Sequence, residues 1–315
     1  MLNKRFLPIS LIIIGMFLSA CQPKATPIPT SEAPTSVPNA NLTQDQILTI
    51  GVVSDDPAGT IEGFQPFVDY LVKELSDPGI VQGQVVVTPD LDSMVEKLKS
   101  GEVDLFYESP YGALYVYENA GAIPLLRGWR KGVSEYHSLI MVSKDSGIKT
   151  IQGLQGKLIA FADPGSTTGY FLPKAFLVSS GLLISERATT STIPADEVGY
   201  MFAGSAENMI NAILLGTAVG GAEEASVYDG LKQEDKDKLV VLAQSQDVPR
   251  SIILASSTMS RALRERIISV LKAAGQTEEG KAALKGAKKT AQFDDLPLGP
   301  DATMIFLKDL FAPVQ

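Results

Sequence analysis

Beyond residue 46 the chain alternates short apolar runs with longer segments whose apolar positions recur at helical spacing. Ile47 to Val53 reads as a strand ending in the loop Ser54-Asp55-Asp56-Pro57. Ile61, Phe64, Phe67, Val68, Leu71 and Leu75 then fall on one helix face. Gln84 to Thr88 predicts a second strand, and Leu91, Met94, Val95 and Leu98 a short helix that stops at Ser100-Gly101. Val103 to Tyr107 is a third strand, after which Glu108-Ser109-Pro110-Tyr111 opens another helix. Ile123 to Trp129 and Tyr136 to Ser143 predict two more strands, and a new strand-helix series runs from Leu158 to Leu242. Arg250 to Ala255 is extended, Arg261 to Ala274 is helical, and Glu278 to Lys289 is an amphipathic helix whose Lys-rich face reads as solvated surface. Strands alternating with helices imply an α/β fold with a largely parallel sheet, in which ligands sit beyond the carboxyl ends of the strands. The loops at 54–57, 107–111 and 163–169 all lie at such ends.

The third of these loops carries the strongest candidate chemistry. Leu158 to Phe161 delivers the chain into Asp163-Pro164-Gly165-Ser166-Thr167-Thr168-Gly169, and an apolar helical segment follows. A strand, a turn, three hydroxyl residues and a helix start together form an anion cradle, with N–H groups and hydroxyls directed outward at the positive end of a helix. A Ser/Thr-rich turn that merely caps a helix is the structural alternative. No Gly-Lys-Ser/Thr follows, so this is not a nucleotide-binding P-loop. Pro173 interrupts the segment and predicts either a late helix start or an irregular first turn.

Before residue 46 the pattern changes twice. Lys4 and Arg5 precede an apolar run to Leu18, too short for a comfortable membrane span, which fits a secretory leader over residues 1–20. Its end, Leu18-Ser19-Ala20-Cys21, resembles the bacterial lipoprotein cleavage box, implying lipid attachment and a membrane anchor at Cys21. Residues 21–45 are rich in Pro, Thr and Ser and predict an extended tether.

Composition narrows the function classes. A net charge of -9 over 315 residues argues against a nucleic-acid partner. One Cys and one His leave no disulfide framework, no zinc cage and no Cys–His pair. Neither a cofactor nor a metal is expected.

Taken in order, Val103-Asp104-Leu105-Phe106-Tyr107, Lys144-Asp145-Ser146 and Asp163-Pro164-Gly165-Ser166-Thr167-Thr168-Gly169 resemble the phosphonate/phosphite/phosphate-binding periplasmic proteins of ABC importers. The resemblance spans residues 46–298 and implies a two-lobed type II periplasmic-binding-protein fold. It places lobe one at 46–140 plus 250–315 and lobe two at 141–249, joined by two crossover strands. It implies a monomeric, non-catalytic receptor outside the cytoplasm that delivers a phosphorus oxyanion or organophosphonate to a permease. The family's anion contacts carry over to Ser166, Thr167, Thr168 and Gly169, with Tyr107 as a phenolic donor; alternation along its strand leaves its facing open. Tyr136, at the start of a crossover strand, is a further candidate.

Departures from the family pattern bear on the ligand. Ser205 stands where many relatives have a His. Glu223-Glu224 fall where some members contact an amine, and a carboxylate there favours a cationic or hydroxylated substituent. Arg250-Ser251 replace the acid of the aminoalkyl binders, and an Arg fork suits a phosphonate or carboxylate. A sensor for another small ligand, and an enzyme using Ser166 with Lys174, are the competing readings.

Overall fold

A computed structural model of the chain describes residues 46–314 apart from 78 and 190. The leader, Cys21 and the tether lie outside the described residues.

In chain order the elements are β1 (Ile47–Val53), α1 (Pro57–Leu75), β2 (Gln82–Thr88), α2 (Leu91–Ser100), β3 (Leu105–Glu108), α3 (Pro110–Ala120) and β4 (Ile123–Arg130). Next come β5 (Glu135–Tyr136), β6 (Ser138–Ser143), β7 (Leu158–Phe161), α4 (Leu172–Ser179), β8 (Leu183–Glu186), β9 (Glu197–Phe202), α5 (Ala206–Leu214) and β10 (Gly220–Glu224). The last third holds α6 (Ala225–Asp229), α7 (Gln233–Lys236), β11 (Leu239–Gln244), β12 (Val248–Pro249), β13 (Ser251–Ala255), α8 (Arg261–Ala274), α9 (Glu278–Gly286), β14 (Thr290–Asp294) and α10 (Pro300–Phe311).

Local chemistry sets the boundaries. The Asp56 carboxylate accepts from the Gly59 N–H at 3.1 Å and Pro57 opens α1, so the helix begins a turn before its apolar stripe does. Asp90 caps α2 in the same way, and Gly101, at φ 77°, ends it where a side chain would strain the backbone.

The strands form two six-stranded sheets, ordered β14-β4-β13-β3-β1-β2 and β11-β6-β10-β7-β9-β8. In the first, β1 is parallel to β2 and β3, while β13 runs antiparallel to β3 and β4. In the second, β7 is parallel to β9 and β10, while β6 runs antiparallel to β10 and β11. The sheets are therefore mixed, not largely parallel. The strands that flank each crossing between sheets, β4 and β6 on the way out and β11 and β13 on the return, pair antiparallel with their sheet neighbours.

The chain passes from one sheet to the other through β5 and returns through β12. These pair antiparallel, Val248 opposite Tyr136 and Pro249 opposite Glu135, as a two-stranded ribbon. Residues 138–140, expected with lobe one, belong to β6 of the second sheet. Tyr136 and Val248 pair in the ribbon, and β6 joins the second sheet directly after it. A further joint lies at the carboxyl end. Phe311, fully buried, shares one apolar cluster with Leu307 of α10 and with Leu172 and Ala175 of α4, so residues from both lobes pack together.

The open question about Tyr107 resolves into the core. It is fully buried, its hydroxyl donates to Thr290 Oγ1 at 2.9 Å, and its ring packs 5.3 Å from Phe293. Both faces of the first sheet are covered, since the neighbouring Phe106 is buried among another apolar cluster. Alternation therefore carried no signal about which face holds the ligand. Gly128 makes room for the ring: a Cβ there would lie 2.1 Å from the Tyr107 hydroxyl.

Tyr107→Phe removes one buried hydrogen bond and no cleft contact. Urea unfolding is expected to show a loss of about 1–2 kcal/mol, with ligand affinity unchanged. A fall in affinity without a fall in stability would return Tyr107 to the site.

Candidate functional site

Between the two sheets lies a cleft of about 830 Å³. On its second-lobe wall, the turn after β7 is built by its own polar groups. The Asp163 carboxylate accepts from Gly165 N–H at 2.8 Å, and Ser166 Oγ accepts from Gly169 N–H at 2.9 Å. Residues Thr167–Phe171 then form one π-helical turn ahead of α4. Pro173 explains the irregularity. Lacking an N–H, it serves neither the Gly169 nor the Thr168 carbonyl, as a regular residue would. Gly169 O instead accepts from Ala162 N–H at 3.2 Å, and Thr168 O accepts from the Ser138 hydroxyl at 2.7 Å. The cradle is thereby tied to β6 and to the end of β7, and its hydroxyls are left at the cleft.

The first lobe meets this turn directly. Ser109 does not cap α3 with its side chain, and the Tyr111 N–H, unserved within the helix, donates to Thr167 Oγ1 at 3.3 Å. The Tyr111 ring stacks on Phe171 with centroids 3.3 Å apart. Thr167 and Thr168 are nearly fully buried, at 2% and 4% exposure.

The crossing ribbon supplies the charge. Arg250, 4% exposed, lies between β12 and β13 and lines the cleft. Its guanidinium carbon sits 4.3 Å over the Tyr136 ring, and Nη1 is 2.6 Å from Glu224 Oε2. That contact is an ion pair off the hydrogen-bond direction; neither Nε nor Nη1 has a hydrogen-bond partner among the described residues. A buried guanidinium with undonated N–H groups in a cleft is a place where an anion is expected. Tyr136 lines the same cleft as Thr167, and burial pushes its hydroxyl far above the usual phenol range.

Glu223, 6% exposed, lies at the same wall, next to Thr168, and accepts from the Glu224 N–H at 2.8 Å. Burial, reinforced by the Glu224 charge, raises its carboxyl above the usual range. On the first lobe, Glu108 pairs with Lys288 at 2.6 Å and accepts from Ser109 N–H at 2.7 Å. Burial alone would push the Glu108 carboxyl up; the Lys288 ammonium and the Ser109 N–H outweigh it and hold it below its ordinary value.

Of the residues proposed from sequence, Ser166, Thr167, Thr168, Tyr136, Glu223 and Arg250 all line this one cleft. Gly169 sits just behind it. Tyr107 does not take part. Ser205 caps α5, accepting from Asn208 N–H at 3.1 Å, and does not line the cleft. Ser251 is fully buried and donates to the Arg250 carbonyl at 2.8 Å. Its partner is the backbone that positions the guanidinium.

Glu108, Arg130, Lys131 and Lys288 also line the cleft and were not singled out. The sequence pattern places Lys288 on the solvated basic face of a helix over 278–289. The helix ends at Gly286, and Lys288 turns inward at φ 54°. The readable signal was Arg130-Lys131-Gly132, a charged turn at a strand end.

Two mixed sheets joined by a paired ribbon, with a cleft between them, make this a type II periplasmic-binding-protein fold. The chain belongs to the family described as ABC transporter, phosphonate, periplasmic substrate-binding protein, whose model matches residues 50–296. That family consists of transport receptors that work outside the cytoplasm. The phosphate-import protein PhnD of Mycolicibacterium smegmatis is 26% identical over 224 residues, 69% of this chain and 68% of that protein. XAC2383 from Xanthomonas citri, solved bound to chloride, matches with a TM-score of 0.77 and 28% identity over 86% of this chain and 98% of that one. The same protein solved with ATP matches with a TM-score of 0.76 at 26% identity, over 86% and 97%. PhnD1 of Prochlorococcus marinus in complex with methylphosphonate shares the fold, with a TM-score of 0.59 and 16% identity over 84% of this chain and 97% of that one.

Arg250→Met leaves the half-buried Glu224 without its counter-charge. Stability is expected to fall by about 3 kcal/mol, with much of the loss recovered in the Arg250→Met, Glu224→Leu double variant. A double variant no more stable than the single one in urea unfolding would show that the pair does not act as a unit.

Proposed function

We propose that this protein captures a phosphorus oxyanion or organophosphonate in the cleft and presents it to the permease of an ABC importer. The observation that carries this reading is Arg250: a buried guanidinium with undonated N–H groups, beside a turn that carries three hydroxyls. Ser166, Thr167 and Tyr136 supply hydroxyl donors, and Arg250 supplies the charge. The contacts of Tyr111 with Thr167 and Phe171 hold the lobes together across the site, which suits capture by closure. Phosphonate, phosphite and phosphate all fit this chemistry.

A second reading rests on size. A cleft of about 830 Å³ far exceeds what a bare inorganic oxyanion fills, and the similar protein from Xanthomonas citri was solved with ATP. It assigns the same cradle and Arg250 to the phosphoryl group of a larger organophosphate.

Calorimetric titration of residues 46–315 with phosphate, phosphite, methylphosphonate, 2-aminoethylphosphonate and ATP separates these readings. Tight binding of a small phosphorus ligand supports the first, and tight binding of ATP alone supports the second. Silence across the panel sinks both.

We infer further that the protein acts as a monomer held at a membrane through lipid on Cys21, as its leader pattern implies. No helix among the described residues is long and apolar enough to cross a membrane. Cys21→Ser is expected to move the protein from the membrane fraction to the soluble fraction after secretion. Retention of the variant at the membrane would overturn the anchor.

A further inference from the structure

The first-lobe wall of the cleft is split by charge. β4 runs parallel to β3, because both pair antiparallel with β13. The sheet order therefore puts the end of β4, with Arg130 and Lys131, to one side of Glu108 on β3. The ends of β1 and β2, leading to Asp90 and Asp92, lie to the other side. At the basic side, Arg130 and Lys131 interlock with the segment that follows α9. Arg130 Nε donates to the Lys288 carbonyl at 3.2 Å, and the Lys131 N–H donates to the Lys289 carbonyl at 3.0 Å. Of the four non-glycine residues with positive φ among the described residues, three meet here: Lys131 at 52°, Lys288 at 54° and Lys289 at 56°. Each is strained where a glycine would not be, and such strain persists where the surroundings impose it, often at a ligand site.

The positive charge gathered in this corner is only partly compensated. Glu108 pairs with Lys288 at 2.6 Å, whereas Arg130 and Lys131 belong to no ion pair among the described residues. Burial, with the Arg130 charge adding to it, pushes the Lys288 ammonium down against the pull of Glu108. A second anion in the corner would relieve that repulsion. The corner also adjoins the cation of the ligand site. Ser251 pairs with Gly128, and the Arg250 N–H donates to the carbonyl of Ser134, just past the Arg130–Val133 bridge, at 2.8 Å. Arg130 and Arg250 thus stand at the same edge of neighbouring strands. The cleft, about 830 Å³, falls within the range of about 300–1,000 Å³ that holds a drug-sized ligand, so an oxyanion at the cradle leaves room for a substituent.

Resting on the phosphorus-oxyanion reading above, we propose that Arg130, Lys131 and Lys288 form a second anion subsite, and that the ligand is an organophosphonate or organophosphate with a further acidic group on its substituent. The phosphorus group binds at the cradle and Arg250. The second group, a carboxylate or another phosphoryl, takes Arg130 and Lys131 and shares Lys288 with Glu108. The planar fork of Arg130 suits either group, and Lys131 adds a point charge at the rim. A cationic substituent would be repelled from this corner and would turn toward Asp90 and Asp92. Those carboxylates already have donors, Asp90 from the Ser93 N–H and Asp92 from the Tyr115 hydroxyl. The acidic side is served within the protein and the basic side is not.

Calorimetric titration with propylphosphonate, 3-phosphonopropionate, ethylenediphosphonate and 2-aminoethylphosphonate tests this on the wild type, Arg130→Gln and Lys131→Gly. Propylphosphonate matches 3-phosphonopropionate in length and lacks its carboxylate. Glycine readily adopts the φ of 52° at position 131, so Lys131→Gly removes the side chain without straining the backbone. The wild type is expected to bind at least one of the two doubly acidic ligands about tenfold or more tighter than propylphosphonate and 2-aminoethylphosphonate. Whichever binds tighter names the second group. That preference is expected to shrink about tenfold in Arg130→Gln and about threefold in Lys131→Gly. Equal affinity for propylphosphonate and both doubly acidic ligands, tightest binding of 2-aminoethylphosphonate, or a preference intact in both variants overturns the proposal. If Arg130→Gln does not fold, as judged by thermal unfolding, Lys131→Gly decides alone. A wild type that binds phosphate or phosphite but none of these four ligands sinks the second subsite only, whereas one that binds no phosphorus ligand removes the underlying reading as well.

Discussion

The buried guanidinium of Arg250 is the constraint on which the rest of the cleft depends. A charge taken out of water costs several kcal/mol unless it is paired and hydrogen-bonded. Here only part of that demand is met within the protein: Tyr136 offers its ring face and Glu224 one carboxylate oxygen. The backbone of Arg250 is held on both sides, its amide N–H donating to Ser134 O at 2.8 Å and its carbonyl accepting from the Ser251 hydroxyl at 2.8 Å. Arg250 lies between β12 and β13, where the chain returns from the second sheet to the first, and its partners come from the ribbon (Tyr136), the second sheet (Glu224) and the first (Ser251).

Much of the fold was legible because its signals are local. The helix stripe of α1, the Gly101 stop and the strand Leu158–Phe161 depend on neighbours within a few residues, and each is found where the pattern puts it. The cradle was legible for the same reason. Its irregular first turn follows from Pro173, a single residue that withdraws the donor two carbonyls need. What was not legible depends on partners far along the chain. Mixed strand direction is decided by which strand returns from the second sheet. Tyr107 faces the core because Phe64 of α1 and Phe293 and Thr290 of β14 close around it. The inward turn of Lys288 is fixed by Glu108, 180 residues away.

The carboxyl end adds a restriction on motion that neither sheet alone would impose. Phe311 packs with Ala113 of the first lobe and with Leu172 and Ala175 of the second in one cluster, and it meets the Tyr111 ring edge-on at 5.5 Å. Tyr111 in turn stacks on Phe171 and donates to Thr167. The apolar cluster behind the cleft and the anion cradle within it are therefore connected through one residue. Opening the lobes must break the Tyr111 contacts while the Phe311 cluster shears, so the free energy of opening is set partly by apolar packing and not only by the ligand.

The cleft's charge balance explains why recognition has to be local. Arg130, Lys131, Arg250 and Lys288 line it, but so do Asp90, Asp92, Glu108, Asp163, Glu223 and Glu224. In a protein of net charge -9 such a cleft has no positive field to draw anions in from a distance. Lys288 is neutralised by Glu108 and Arg250 in part by Glu224, which leaves fixed hydroxyls, N–H groups and undonated guanidinium hydrogens to do the binding. Such donors act at contact range and with direction, so they reward shape and protonation state more than total charge. The anion site proposed for this cleft would therefore give up long-range attraction and gain discrimination among ligands of equal charge.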